Sequence, residues 1–339
     1  MTPQRCREIT ARYGGLRVAL LGDFCLDRYL EIDPARGETS IETGLPVHNV
    51  VNVRAQPGGA GTILNNLSAL GVGCIRPVGF HGADGEGSEL ARAVAARRGA
   101  DVAGLIETPL RRTFTYCKPL ILEPGRPPRE LSRLDTKNWT PTPPEVEERL
   151  IAALRAAAAG CDALIVLDQV DLADTGVVTR GVLQAVGEIV ASRSGLPVIA
   201  DSRRGLGGFP SVIFKMNAAE LSALTGSPAG ADLEAVRKAA VELARRNGRA
   251  VFVTLSERGM VGALPSGAVE WVPSLPIRGP IDVVGAGDAV TANLTCALAA
   301  GASLREALEL ASAAASVVLH QVGTTGAATP ADLEAKFAA

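Results

Sequence analysis

Four short apolar runs separated by helix-length stretches restrict this chain more than anything else in it. "LRVALLGD" (16–23), "DALIVLD" (162–168), "LPVIAD" (196–201) and "AVFVTL" (250–255) are too continuously apolar for half-exposed strands, so each reads as a strand buried on both faces. Between them lie "GTILNNLSALG", "SELARAVAARRG", "EVEERLIAALRAAAAG", "TRGVLQAVGEIVASRSG" and "LEAVRKAAVELARRNG". Each spaces apolar residues three and four apart and closes on the glycine that commonly follows a helix. Strand alternating with helix predicts an α/β fold: a doubly wound, mostly parallel sheet with helices on both faces. With 339 residues, 47% of them hydrophobic, the chain can fill such a core.

Two regions break the rhythm. Residues 28–54 have no helical period and partly alternate ("VHNVVNV"), and residues 111–122 ("RRTFTYCKPLIL") behave alike. They predict short strands forming either an accessory sheet, a lid beside the site, or ordinary edge strands. "EPGRPP" and "TPTPP" read as surface turns.

The 34 Lys and Arg against 36 Asp and Glu leave a net charge of −2, which provides no global field for nucleic acid or an anionic membrane. A small-molecule partner is expected instead. Six scattered cysteines with no CxxC pair suit reduced, buried thiols. Without a leader pattern or a membrane-length apolar stretch, the expectation is a soluble cytoplasmic protein. The P-loop, the dinucleotide GxGxxG after the first strand, HExxH and GxSxG are all missing, and His48, His81 and His320 lie too far apart in sequence for metal spacing.

What remains is a set of local constellations. In "DVVGAGDAVTANL" (282–294) three small residues precede a helix, whose free amides form an anion site. Asp288 there is either a capping carboxylate or a general base held beside that site. "FKMNAAELSALTG" sets Asn217 and Glu220 three apart at a helix start, either as a cap or as oxygen donors around Mg2+. "VTLSERGMVGAL" reads as strand, turn, strand, with Ser256 and Gly259 in a turn that can hold phosphate or ribose or be a plain hairpin. "QPGGAGTILNNL" opens a helix on glycines, and "GDFCLDRY" puts Asp23 and Asp27 after the first strand, as sugar ligands or as turn residues.

Taken in order, these segments resemble the PfkB, or ribokinase-like, family of carbohydrate kinases: GDxxxD, Gly-Gly, NxxE, TLSxxG and GAGD, spread over nearly the whole chain. The resemblance implies one kinase domain over residues 1–339, with a small β-sheet lid from about 28–54 and 111–122. It implies transfer of the ATP γ-phosphoryl group to a sugar hydroxyl. It makes Asp288 the base, the NH groups of Gly285, Ala286 and Gly287 the anion hole, and Asn217 and Glu220 the Mg2+ and phosphate partners. Thr254, Ser256 and Gly259 would line the nucleotide, and Asp27, Gly58 and Gly59, with Asp23 nearby, would hold the sugar. Asp282, the Val284 carbonyl and Gly323 match a monovalent cation site, for potassium for example.

Within the family, "GDFCLDRYLEID", "RPVGFHGADGEG", "SRLDTKN" and "VTLSERGM" look most like the heptose 7-phosphate kinases of ADP-heptose synthesis, here without a nucleotidyltransferase half. The chain departs from them at Thr62, where they carry Asn, and after Asp168, where "QVDLADTG" lacks their lysine. Arg112, Lys118 and Arg133 are the candidates to replace that cation. Val283 and Val284 stand where threonines are usual before GAGD, a change a backbone anion hole tolerates. The competing expectations are a kinase for free fructose, ribose or a nucleoside, the last disfavoured by 4% aromatic content, and a sugar- or nucleotide-binding regulator without turnover. A homodimer through the lid is expected as well.

Overall fold

The computed structural model describes residues 1–226, 228 and 232–338. Its strands, leaving aside three of two residues each, are β1 (Arg17–Gly22), β2 (Phe24–Ile32), β3 (Val50–Gly59), β4 (Cys74–Gly82), β5 (Leu105–Thr108), β6 (Phe114–Ile121), β7 (Leu134–Thr136), β8 (Ala163–Asp168), β9 (Val198–Ser202), β10 (Ile213–Asn217), β11 (Val251–Thr254), β12 (Met260–Ala263) and β13 (Val269–Val272). The helices that matter here are α1 (Pro3–Thr10), α2 (Ala60–Ala69), α3 (Gly85–Ala95), α4 (Pro144–Ala158), α5 (Arg180–Ser192), α6 (Ala218–Thr225), α7 (Leu233–Asn247), α8 (Ala286–Ala299), α9 (Leu304–Leu319) and α10 (Pro330–Ala338).

The large sheet runs β13-β12-β11-β10-β9-β8-β1-β4-β5 and is parallel from β11 to β5, with an antiparallel β11-β12-β13 edge. Its two faces separate residue by residue, as the pleat requires. On β1, Ala19 and Leu21 join α4, α5 and α7 in one core, while Val18 and Leu20 join α1, α2, α8, α9 and α10 in the other. All four apolar runs became strands of this sheet. Of the helix-closing glycines, Gly71, Gly99, Gly160 and Gly248 take positive φ, the conformation a side chain resists.

A second sheet, β7-β6-β2-β3, takes in the two segments expected to form a lid and adds residues 134–136. In it Asp27 lies between Tyr116 on β6 and Gln56 on β3, and Tyr29 between Lys118 and Arg54, so these side chains share one face. Among the described residues no helix is long and apolar enough to cross a membrane.

Candidate active site

Ligands of open parallel sheets collect beyond the carboxyl ends of the strands, and that end carries nearly every polar candidate of this chain. Asp168 ends β8, Asp201 and Ser202 end β9, Asn217 ends β10 and Thr254 ends β11. Asn217 and Thr254 are paired across β10 and β11. Helix α8 starts above them.

The N-cap of α8 is Gly285, at φ 82°, and it offers no side-chain cap. Asp288 stands in the first turn instead, so the capping reading of this carboxylate does not hold. It keeps a partial opening to the cleft. Burial first, then the charge of Asp201 and more weakly that of Asp27, push its pKa up to about 7 against the pull of Lys215.

Lys215 is a residue that pattern reading passed over. It sits mid-strand in β10, only 7% exposed, with Nζ 2.6 Å from Asp201 Oδ2. A Cβ built on Gly287 would lie 3.3 Å from that Nζ, so the ammonium abuts the backbone of the anion hole. Burial would lower its pKa. The Asp201 carboxylate and, beyond it, Asp288 and Glu220 together outweigh burial and raise it. Thr291 of α8 donates to the same Asp201 oxygen at 3.2 Å, tying strand end to helix. The available signal was a charge inside an apolar run just before NxxE.

Asn217 and Glu220 form a capping box on α6: Asn217 Oδ1 accepts from the Glu220 amide at 2.9 Å and Glu220 Oε2 from the Asn217 amide at 2.8 Å. The capping alternative is therefore what their geometry shows. Burial pushes the Glu220 carboxylate up despite the Asn217 amide, with Asp201 adding to the shift. Among the described residues no three His, Cys, Asp or Glu side chains gather as a metal cluster. One or two carboxylates completed by phosphate oxygens and water is the arrangement Mg2+ ordinarily accepts, and Glu220 fits that donor chemistry.

Thr254, Ser256 and Gly259 line a cavity of about 320 Å3 together with Ala286 and Gly287, so the structure brings the expected nucleotide turn and the head of α8 to one cavity. The turn is held open by backbone: Ser256 and Gly259 both have positive φ, and a Cβ on Gly259 would collide with the Val272 carbonyl. Leu275, Ile281, Val290 and Leu319 supply apolar walls.

On the sugar side, Asp27 is 7% exposed and lies against Gly58, where a Cβ would sit 2.5 Å from Oδ2. Burial raises its pKa, while Lys118, 3.9 Å away, and Arg133 pull it back. Gly59, at φ 57°, leads the chain into α2, and Thr62 meets the anion hole from below: a Cβ on Gly285 would lie 3.5 Å from its methyl. Arg133 stacks over Tyr116 at 5.1 Å, as Lys137 does at 5.9 Å, and Lys137 and Arg203 both reach Asp171. Lys137 and Arg203 are cations the sequence patterns did not single out.

Two expected sugar residues point elsewhere. Asp23 is 2% exposed, and its oxygens accept from the amides of Val177 at 2.7 Å and Gln169 at 2.8 Å. It pins the loop after β8; burial and the Asp168 charge raise it to about 7. Arg112 is open to solvent beside Asp84, with its amide on Asn138. At the expected cation site, Asp282 accepts from the amides of Val284 at 3.0 Å and Gly323 at 3.2 Å, so Val284 meets it through its NH. The group fastens two loops together.

The signature described as "pfkB family carbohydrate kinase" matches residues 210–332, from the approach to β10 through the anion hole to α10. The chain is 34% identical over 337 residues to Bifunctional protein HldE of Rhodospirillum rubrum, covering 96% of this chain and 62% of that protein. Residues 210–332 are thus similar to the pfkB family of carbohydrate kinases. The HldE protein of Gluconacetobacter diazotrophicus is 32% identical over 317 residues, covering 93% of this chain and 62% of that one. The chain thus spans less than two thirds of these curated relatives. Among solved structures, phosphofructokinase-2 from Escherichia coli with substrates and products superposes at a TM-score of 0.72 with 20% identity, over 95% of this chain and 98% of that one. Arabidopsis thaliana ribokinase with ribose and ATP gives 0.65 and 22%, over 91% and 94%. The fold is therefore ribokinase-like, as the motif order implied.

Proposed function

We propose that this chain transfers the γ-phosphoryl group of ATP to a hydroxyl of a sugar that already carries a phosphate, a heptose 7-phosphate being the first candidate. The observation that carries the reading is Asp288, a carboxylate with its pKa pushed up to about 7, next in the chain to Gly287 of the nucleotide cavity and within reach of the charge of Asp27. A base so poised can accept the proton of an attacking hydroxyl. The amides at the head of α8 and the Lys215 ammonium lie where negative charge builds on the transferring group, and they need no reorganisation to meet it. Glu220 and Asn217 would hold Mg2+ through water, and the metal would neutralise phosphate charge. Asp27 with the Gly58 backbone would orient the sugar.

The phosphorylated acceptor is supported by Lys118, Arg133, Lys137 and Arg203 around Tyr116 and Asp27, a set of side chains suited to a phosphate. Phosphofructokinase-2, similar in fold, was solved with fructose-6-phosphate. ADP release from ATP, measured with heptose 7-phosphate, fructose 6-phosphate, free fructose, ribose and a nucleoside, tests it. The phosphorylated sugars should turn over, and Arg133→Met should raise their KM about tenfold, the loss of one charged hydrogen bond. Preference for a free hexose or pentose overturns this choice of acceptor.

We also propose a homodimer through the outer face of the small sheet. Val53 and Leu134 are 43% and 66% exposed on the face opposite Asp27, with Ile41, Leu45, Val50 and Val51 exposed nearby. Apolar side chains on a sheet face mark an interaction surface. Sedimentation should show a dimer, and Val53→Lys with Leu134→Lys a monomer; a wild-type monomer at high concentration rules the interface out.

A further inference from the structure

A side chain two residues ahead of the Gly-Gly pair, Gln56, links the two halves of the cleft. Gln56 lies on β3 directly opposite Asp27. Its Nε2 donates to Thr325 Oγ1 at 2.8 Å, and its Oε1 accepts from Thr324 Oγ1 at 3.2 Å. Both ends of the amide are thus spent on the 321–327 loop. That loop backs the anion hole: a Cβ on Gly285 would lie 3.4 Å from Thr325 Cβ, and the Gly323 amide reaches Asp282, whose other oxygen takes the Val284 amide. The loop is itself fixed, since Gln321 bonds the Ala327 amide and carbonyl at 2.9 and 3.1 Å. A continuous path of bonds and contacts therefore runs from the strand beside Asp27 to the amides at the head of α8.

We propose that Gln56 is a positioning residue that makes docking of the sugar at Asp27 and alignment of the Gly285–Gly287 amides a single event. A lateral error of an ångström at the phosphorus is enough to slow transfer severely, so a clasp between the two substrates' supports acts on rate more than on affinity. This rests on the sugar kinase reading above.

The test is a double-mutant cycle of Gln56→Ala and Thr325→Val, with Gln56→Glu as the conservative variant. Gln56→Ala should lower kcat about tenfold with ATP affinity unchanged. The double variant should be no slower than the slower single, because both remove one clasp. Gln56→Glu should keep most of the rate, since both threonine hydroxyls can donate to a carboxylate. A folded Gln56→Ala enzyme with wild-type kcat, or additive effects in the cycle, overturns the proposal. Amide hydrogen exchange gives a readout free of turnover: Gln56→Ala, or Thr325→Val should the first variant not fold, must quicken exchange at residues 283–287 as well as 54–58. Unchanged exchange at 283–287 also overturns it. A wild type that phosphorylates no sugar removes the kinase reading instead, and exchange still decides the clasp.

Discussion

Asp288→Asn is expected to bind ATP as wild type does and to transfer phosphate at least about a hundredfold more slowly, the usual loss when a general base is removed. Asparagine keeps the shape and the hydrogen-bonding reach of the side chain but cannot hold a proton. With the Asp288 pKa near 7, wild-type kcat/KM should climb through about pH 7 as the carboxylate ionises, and that limb should vanish from the residual activity of the variant. Stability should respond in the opposite sense. The folded carboxyl holds its proton to a higher pH than the unfolded chain does, so this group favours folding at low pH and loses that contribution between about pH 4 and 7. Asp288→Asn should therefore gain stability relative to wild type at pH 8 but not at pH 4, read by denaturant unfolding. Near-normal turnover in the variant would remove Asp288 from the chemistry.

Lys215→Met should damage both turnover and fold. The ammonium is nearly enclosed and shares Asp201 with Thr291, so its removal strands a carboxylate that burial disfavours, at a cost of about 3–5 kcal/mol. It also takes the Lys215 ammonium away from Gly287. The double variant Lys215→Met, Asp201→Asn separates the two effects: neutralising the stranded charge should recover most of the stability and none of the transfer rate. Thermal unfolding and single-turnover ADP formation on the two variants make the comparison. A stable Lys215→Met enzyme with wild-type rate would show that the lysine is only a strut.

The same lysine explains where sequence reading stopped. Strands announced by unbroken apolar runs were legible, and so were helices with a clear period and a closing glycine. β10 was not, because Lys215 interrupts Ile213, Phe214 and Met216, which would otherwise read as buried strand, and β4 was not, because Pro77 and Gly79 are poor strand residues held in place by β1 and β5. Among site candidates, Thr254 and Gly287 come from separate local motifs and line one cavity, while Asp288 and Asp27 feel one another's charge. Asp23 was misleading for a physical reason. A carboxylate after a strand can face a ligand or the neighbouring loop with equal local sequence, and only the path of residues 169–177 decides that its lone pairs go to backbone amides. Gln56, Asp201 and Arg203 have meaning only through partners more than ten residues away, which no local pattern encodes.

Helix α8 is buried over nine consecutive residues, Ala289–Ala297, so it has no solvent face along that stretch. It packs on α2, on α9 and on the sheet, and any tilt would open voids in a close-packed interior. The amides at its head are thus carried by a helix with little room to shift as a body. Substitutions that loosen α8 from within, at Asn293 for instance, would then appear as slow enzymes before they appear as unfolded ones.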